Sequence, residues 1–184
     1  MSGLAQPVVF IGPMAAGKTA VGRRYAERTG RSFFDTDREI VRLHGEIAAL
    51  FGTCGEAGFR RIEASIVQDV FAQEGTDLVV SLGGGAIADP QTRELLGNAV
   101  VVFLDTDLAT VLPRIEADRA RPLLADDPAT RWLELYESRH QLYTATADHV
   151  VDTRRLRLDE VVDRVQSCLA DAPANTRRTT GHEH

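Results

Sequence analysis

Gly12-Pro13-Met14-Ala15-Ala16-Gly17-Lys18-Thr19 has the glycine, lysine and hydroxyl spacing that cradles the phosphates of a nucleoside triphosphate. In such a loop the backbone N–H groups and the first turn of the following helix form a nest for phosphate oxygens. Lys18 is spaced to neutralise the β- and γ-phosphates, and Thr19 to offer its hydroxyl to Mg²⁺. Asp35-Thr36-Asp37 adds two carboxylates. On an extended segment, residues two apart face the same way. One acid is then expected to hold hydrated Mg²⁺ and the other to accept a proton from an attacking hydroxyl. One of the pair can also cap the next helix.

Three further segments carry potential chemistry. Gly83-Gly84-Gly85 permits close backbone approach to a ligand and dihedral angles that other residues avoid. In the stretch 56–73, Phe59, Ile62, Ile66 and Val70 share one helical face, and Glu63 falls inside that apolar arc. A carboxylate there needs a partner, and Arg60 lies three residues away while Arg61 points to the solvated side. Glu63 is therefore expected to fix Arg60, whose guanidinium suits an anionic substrate. Arg121-Pro122-Leu123-Leu124 lies in the charged, aperiodic stretch from Asp118 to Pro128, which reads as a mobile loop. Asp105, after Val100-Val101-Val102-Phe103-Leu104, resembles the Mg²⁺-holding acid of many ATPases. With Asp35 and Asp37 available, it reads as a strand-terminal or capping acid.

The elements that must position these residues alternate between apolar runs and helical periodicity, the pattern of an α/β protein with a parallel sheet. Strands are expected at 7–12, 32–35, 78–82, 99–104 and 148–152. Helices are expected at 18–29, 37–43, 46–51, 56–73, 91–97, 107–117, 129–146 and 158–170. The phosphate loop thus joins a strand to a helix, as its chemistry demands. In such sheets ligands bind beyond the carboxyl ends of the strands, which gathers the loop and the aspartates into one crevice.

Composition narrows the classes. The chain has 184 residues, enough for a proper core in one domain, expected over 1–172 with a lid near 116–128. A net charge of −6 with interspersed signs argues against nucleic acid. No apolar run approaches membrane-spanning length, and no secretory leader pattern is present. Cys54 and Cys168 fit no metal spacing and read as reduced thiols in a cytoplasmic protein. The polar stretch 173–184, with His182 and His184, reads as a disordered tail.

Taken in order, the phosphate loop, Asp35-Thr36-Asp37, Phe59-Arg60-Arg61-Ile62-Glu63, Gly83-Gly84-Gly85, Arg121-Pro122-Leu123-Leu124 and Arg139-His140-Gln141-Leu142-Tyr143 resemble the shikimate kinase family over roughly 7–170. The resemblance implies a three-layer fold like that of nucleoside-monophosphate kinases, with a five-stranded parallel sheet in order 2-3-1-4-5 and a mobile lid. It implies phosphorylation of the shikimate 3-hydroxyl by ATP, in a monomer with one Mg²⁺. By that resemblance Thr19 and Asp35 hold the metal. Asp37 meets the substrate hydroxyls as base or orienting group. Arg60 and Arg139 grip the carboxylate, with Gly83, Gly84 and Gly85 lining the same pocket. ATP would meet Gly12, Ala15, Ala16, Gly17, Lys18, Thr19, Ala20, the lid residue Arg121 and, near the adenine, Arg154. Lys18, Asp37 and Arg121 are the implied catalytic groups. Ala15 stands where the family usually has glycine, and a positive φ there would strain it. A gluconate kinase and a non-catalytic nucleotide-binding module remain the alternatives.

Overall fold

In the computed structural model, which describes residues 6–73, 77–117 and 127–170, five parallel strands form one sheet in the order β2-β3-β1-β4-β5. These are β1 (Val8–Ile11), β2 (Ser32–Asp35), β3 (Leu78–Ser81), β4 (Val100–Asp105) and β5 (His149–Asp152). The helices are α1 (Lys18–Thr29), α2 (Thr36–His44), α3 (Ile47–Ala72), α4 (Pro90–Leu95), α5 (Leu108–Ala117), α6 (Pro128–Thr146) and α7 (Leu158–Ala170). Two short 3₁₀ turns, Ala86–Ala88 and Leu96–Asn98, flank α4.

Strand periodicity divides the core between the two faces of the sheet. Val8, Phe10, Val79, Val100, Val102 and Leu104 pack against α1 and α7 through Val21, Tyr25, Val162 and Val165. Their neighbours Val9, Ile11, Val80, Val101 and Phe103 face the other way, onto Val67, Val70, Leu96 and Tyr143. Both faces are covered, so the strands read as unbroken apolar runs. Two smaller clusters lie beside the main core. Ile40, Phe59 and Ile66 join α2 to α3, and Val111, Ile115 and Trp132 join α5 to α6.

Helix boundaries follow local chemistry. Asp35, Asp89 and Asp127 each accept an N–H from the first turn of α2, α4 and α6, and proline opens both α4 and α6. Two expectations need correcting. The stretches 46–51 and 56–73 form one run, Ile47–Ala72, broken only at Gly55 (φ 68°, ψ 179°). Nothing lies within 4 Å of a Cβ built there, so glycine is required for its backbone angles and not for space. The single helix expected at 91–97 is α4 followed by the 3₁₀ turn Leu96–Asn98. Of the expected lid at 116–128, Glu116 and Ala117 close α5 and Asp127 caps α6. Residues 118–126, Arg121 among them, and the tail 173–184 lie outside the described residues.

Candidate active site

β1 delivers the chain to Gly12 at the carboxyl edge of the sheet, against the end of β4. A Cβ on Gly12 would stand 2.6 Å from the Leu104 carbonyl oxygen. The loop then turns through Ala15 (φ 64°) and Gly17 (φ 93°) into α1. Ala15 is thus left-handed, the strain anticipated if that position needed a positive φ; for a residue with a Cβ this costs about 1–2 kcal/mol. Ala16 N–H closes the turn on the Pro13 carbonyl at 3.3 Å. Lys18 is buried, and its ammonium donates to the carbonyls of Gly12 and Pro13, both at 2.9 Å. The loop's own carbonyls hold it over the loop.

Thr19 Oγ1 donates to Asp35 Oδ2 at 2.5 Å, which brings the two expected metal ligands into contact. The other oxygen of Asp35 accepts from Arg38 N at 3.0 Å, so one carboxylate both caps α2 and faces the loop. The premise that Asp35 and Asp37 lie on one extended segment fails, because α2 already begins at Thr36. Helical rotation separates the two acids. Asp35 turns to Thr19, whereas Asp37 turns to Gly83, where a Cβ would meet its Oδ1 at 2.6 Å.

The glycine triplet is the hinge of the site. None of Gly83, Gly84 and Gly85 has a positive φ. Each is crowded by a different group. A Cβ on Gly83 would lie 2.6 Å from both Asp37 Oδ1 and Glu63 Oε1, and on Gly84 it would lie 3.3 Å from Met14 N of the phosphate loop. On Gly85 it would collide with the Arg60 guanidinium, whose nearest atom is 2.1 Å away. The pocket that holds the acids and arginines therefore abuts the phosphate loop across a single glycine.

Arg60 Nη1 donates to Glu63 Oε2 at 2.6 Å, and Glu63 is 3% exposed. Burial pushes the Glu63 carboxyl above its usual range, while Arg60 and, more weakly, Arg139 draw it back down. Arg61 is exposed, as helical spacing anticipated. Arg139 reaches the Gly84 carbonyl from α6 at 3.5 Å. One turn on, Tyr143 donates its hydroxyl to the same oxygen at 2.5 Å and stacks on Phe103. Burial pushes the Tyr143 phenol up to about 12, so it remains a donor at neutral pH.

The remaining expected residues divide. Ala20 is exposed on α1. Arg154 follows β5 and is paired with Asp152 at 2.6 Å, a contact that holds that carboxyl down at about 2. Asp105 ends β4 and accepts from Tyr136 at 2.7 Å and from Thr106 N at 2.9 Å, in keeping with a strand-terminal role. The cap of α5 is Asp107, which accepts from Thr110 N at 2.8 Å.

Sequence reasoning passed over several residues that shape the site. Thr36, fully buried, donates to the Ser81 carbonyl and accepts from Gly83 N at 3.0 Å, stitching the start of α2 to the end of β3 and the triplet. Tyr143 is spaced one turn from Arg139, which was the available signal. Arg114 and Trp132 reach the loop over about a hundred residues of sequence, and no local pattern announces them.

A donor set of one hydroxyl and one carboxylate fits Mg²⁺, a hard cation that keeps several waters and shares nucleotide phosphates. No cluster of three or more His, Cys, Asp or Glu that would cage a metal exists among the described residues.

The sequence profile of the shikimate kinase family matches residues 14–170. A shikimate kinase of Streptomyces coelicolor is 44% identical over 155 residues, 84% of this chain and 90% of that protein. The structure of a shikimate kinase from Acinetobacter baumannii in complex with shikimate superimposes with a TM-score of 0.85 at 34% identity, covering 90% of this chain and 93% of that one. A gluconokinase from Sinorhizobium meliloti reaches a TM-score of 0.62 at 20% identity over 91% and 93% of the two chains, a likeness of fold alone.

Proposed function

The chain belongs to the shikimate kinase family, and we propose that the residues gathered around Gly83–Gly85 transfer a phosphoryl group from ATP to the 3-hydroxyl of shikimate. The observation that carries this is the pairing of two regions across Gly84. One is a phosphate loop with Lys18 and Thr19, and the other is a pocket with Asp37, Arg60 and Arg139. Gluconate kinase loses ground because its representative shares the architecture only at fold level. The joint presence of Lys18, Asp37, Arg60 and Arg139 speaks against a non-catalytic module.

Phosphoryl transfer is mostly positioning and charge neutralisation. Arg60, anchored by Glu63, and Arg139 bind the acceptor carboxylate, remote from the reacting hydroxyl. That remote binding energy orients the hydroxyl toward the loop. Asp37 receives or orients the hydroxyl proton. Lys18 exchanges its loop carbonyls for phosphate oxygens and offsets their charge. Gly12, Ala15, Ala16 and Gly17 present backbone to the phosphates, with Ala20 and Arg154 completing the nucleotide side. Arg121 adds positive charge from the stretch outside the described residues. Thr19 and Asp35 would hold Mg²⁺, which would supply positive charge to offset that of the nucleotide phosphates. In this reading the enzyme works as a monomer in the cytoplasm, and no helix among the described residues is long and apolar enough to cross a membrane.

The test is ADP release by the purified protein with ATP and Mg²⁺, with shikimate, gluconate or no acceptor. Release that depends on shikimate is expected. Release with gluconate alone, or equal release without any acceptor, would overturn the assignment.

A further inference from the structure

We propose that Tyr143 is a positioning residue for the acceptor pocket: its hydroxyl occupies the Gly84 carbonyl so that Arg139 stays turned toward the acceptor's carboxylate. Of the three carbonyls in the glycine triplet, two are taken by the chain's own backbone. Gly83 accepts from Ala86 N at 3.1 Å, and Gly85 accepts from Ala88 N at 3.0 Å. Among the described residues no backbone N–H reaches the carbonyl between them, and α6 supplies its donors instead. Tyr143 Oη donates to it at 2.5 Å, whereas Arg139 Nη1 only grazes it at 3.5 Å. The first distance is that of a full O–H···O bond, and the second lies beyond the usual N–H···O range.

The two side chains stand one turn apart on α6 and meet at the same oxygen. The phenol is the fixed member. Tyr143 is 1% exposed, and its ring lies on Phe103 of β4 with centroids 5.1 Å apart and planes 23° from parallel. Arg139 is half-buried and carries its charge on a long, rotatable stem. Burial raises the pKa of the phenol and the Arg139 guanidinium draws it back down, so the two groups feel one another directly. Without the hydroxyl, Arg139 would be the one donor left in reach of Gly84 among the described residues. A carbonyl that loses its partner favours the next available donor, and a cation is a stronger donor than a neutral group. The arginine would then settle on the triplet and turn from the pocket. Tyr143 thus acts through Arg139 and needs no contact with the acceptor.

The proposal rests on the reading of Asp37, Arg60 and Arg139 as the acceptor pocket. Tyr143→Phe keeps the ring and its stack and removes only the hydroxyl. It is expected to lower kcat/KM for shikimate about three- to tenfold, through KM, the scale of one lost hydrogen bond. Its kcat, and its ATP affinity by calorimetry, should stay within about twofold of the parent, since the phosphate loop is untouched. A lower melting temperature with an unchanged shikimate KM would mark a purely structural tyrosine and overturn the proposal. In an Arg139→Met background the Tyr143→Phe effect on kcat/KM should shrink below about twofold, because no arginine is left to be diverted. An undiminished loss there would also overturn it, since the hydroxyl would then act on the triplet without Arg139.

A second arm keeps the hydroxyl in place. The chain has three tyrosines, and fluorotyrosine incorporated at all of them gives a Tyr143 fluorine resonance, identified as the one retained in both Tyr25→Phe and Tyr136→Phe. Shikimate should shift that resonance as Arg139 turns to the carboxylate. A Tyr143 resonance indifferent to shikimate would overturn the proposal even if Tyr143→Phe fails to fold. Failure of the parent protein to phosphorylate shikimate would instead remove the acceptor reading itself.

Discussion

The phosphate loop and the acceptor pocket touch at Gly84, yet they are built in opposite ways. The loop is eight consecutive residues whose backbone makes the site, and its lysine is satisfied by the loop's own carbonyls. The pocket has no continuous stretch. Asp37 comes from α2, Arg60 and Glu63 from α3, the glycines from the end of β3 and Arg139 from α6. A site made from backbone depends on dihedral angles, and a site made from side chains depends on which helices pack together. Damage to the first should appear as lost turnover and ATP binding. Damage to the second should appear first in the acceptor's KM.

The largest effect should come from the loop. Lys18→Met is expected to lower kcat by about a hundred- to a thousandfold, the scale of removing one charge-stabilising group. A loss confined to the shikimate KM would break the division between the regions. Asp37→Asn tests the boundary, since Asp37 belongs to the pocket but acts on the reacting hydroxyl. It should lower kcat by at least about tenfold, and near-parental turnover in a folded protein would remove Asp37 as base.

Arg60→Met should raise the KM for shikimate by about ten- to a hundredfold, the scale of a hydrogen bond between charged groups. Arg61→Met should change it by less than about twofold, as expected of an exposed side chain. The reverse order in parallel assays would overturn the helical-face argument.

Glu63→Gln should give the smallest kinetic change, a few-fold rise in the same KM from a less firmly anchored Arg60. It also has a pH signature. Burial raises the folded-state pKa of Glu63 above its unfolded value, so the native state binds this proton more tightly. The resulting stabilisation is fully present below the unfolded value and is lost as pH rises through the raised folded value. Thermal melts of Glu63→Gln across that window should lack this slope. An identical pH dependence in parent and variant would count against a raised Glu63.

Much of this was legible from sequence because its signals are local. The loop announces itself by spacing, and the strands by short apolar runs. The position of Glu63 within an apolar arc pointed to Arg60 over Arg61. The relation between Asp35 and Asp37 was misjudged because the helix begins one residue earlier than expected, and a single helical residue between two acids sends them to different regions. For the triplet, sequence offered close approach and dihedral freedom together, and could not weigh one against the other. Only the approach of Asp37, Glu63, Met14 and Arg60 distinguishes the two.

By itself the sequence determined the phosphate loop, the order of strands and helices, and the identity of the charged groups, because these follow from periodicity and from the chemistry of adjacent residues. Tertiary structure alone decided which glycine faces which group, how Tyr143 and Thr36 brace the triplet, and how Arg114 and Trp132 reach the Ala15 turn. Those contacts join residues tens of positions apart. They exist because helices that bury their apolar faces on one sheet carry their polar side chains to its carboxyl edge.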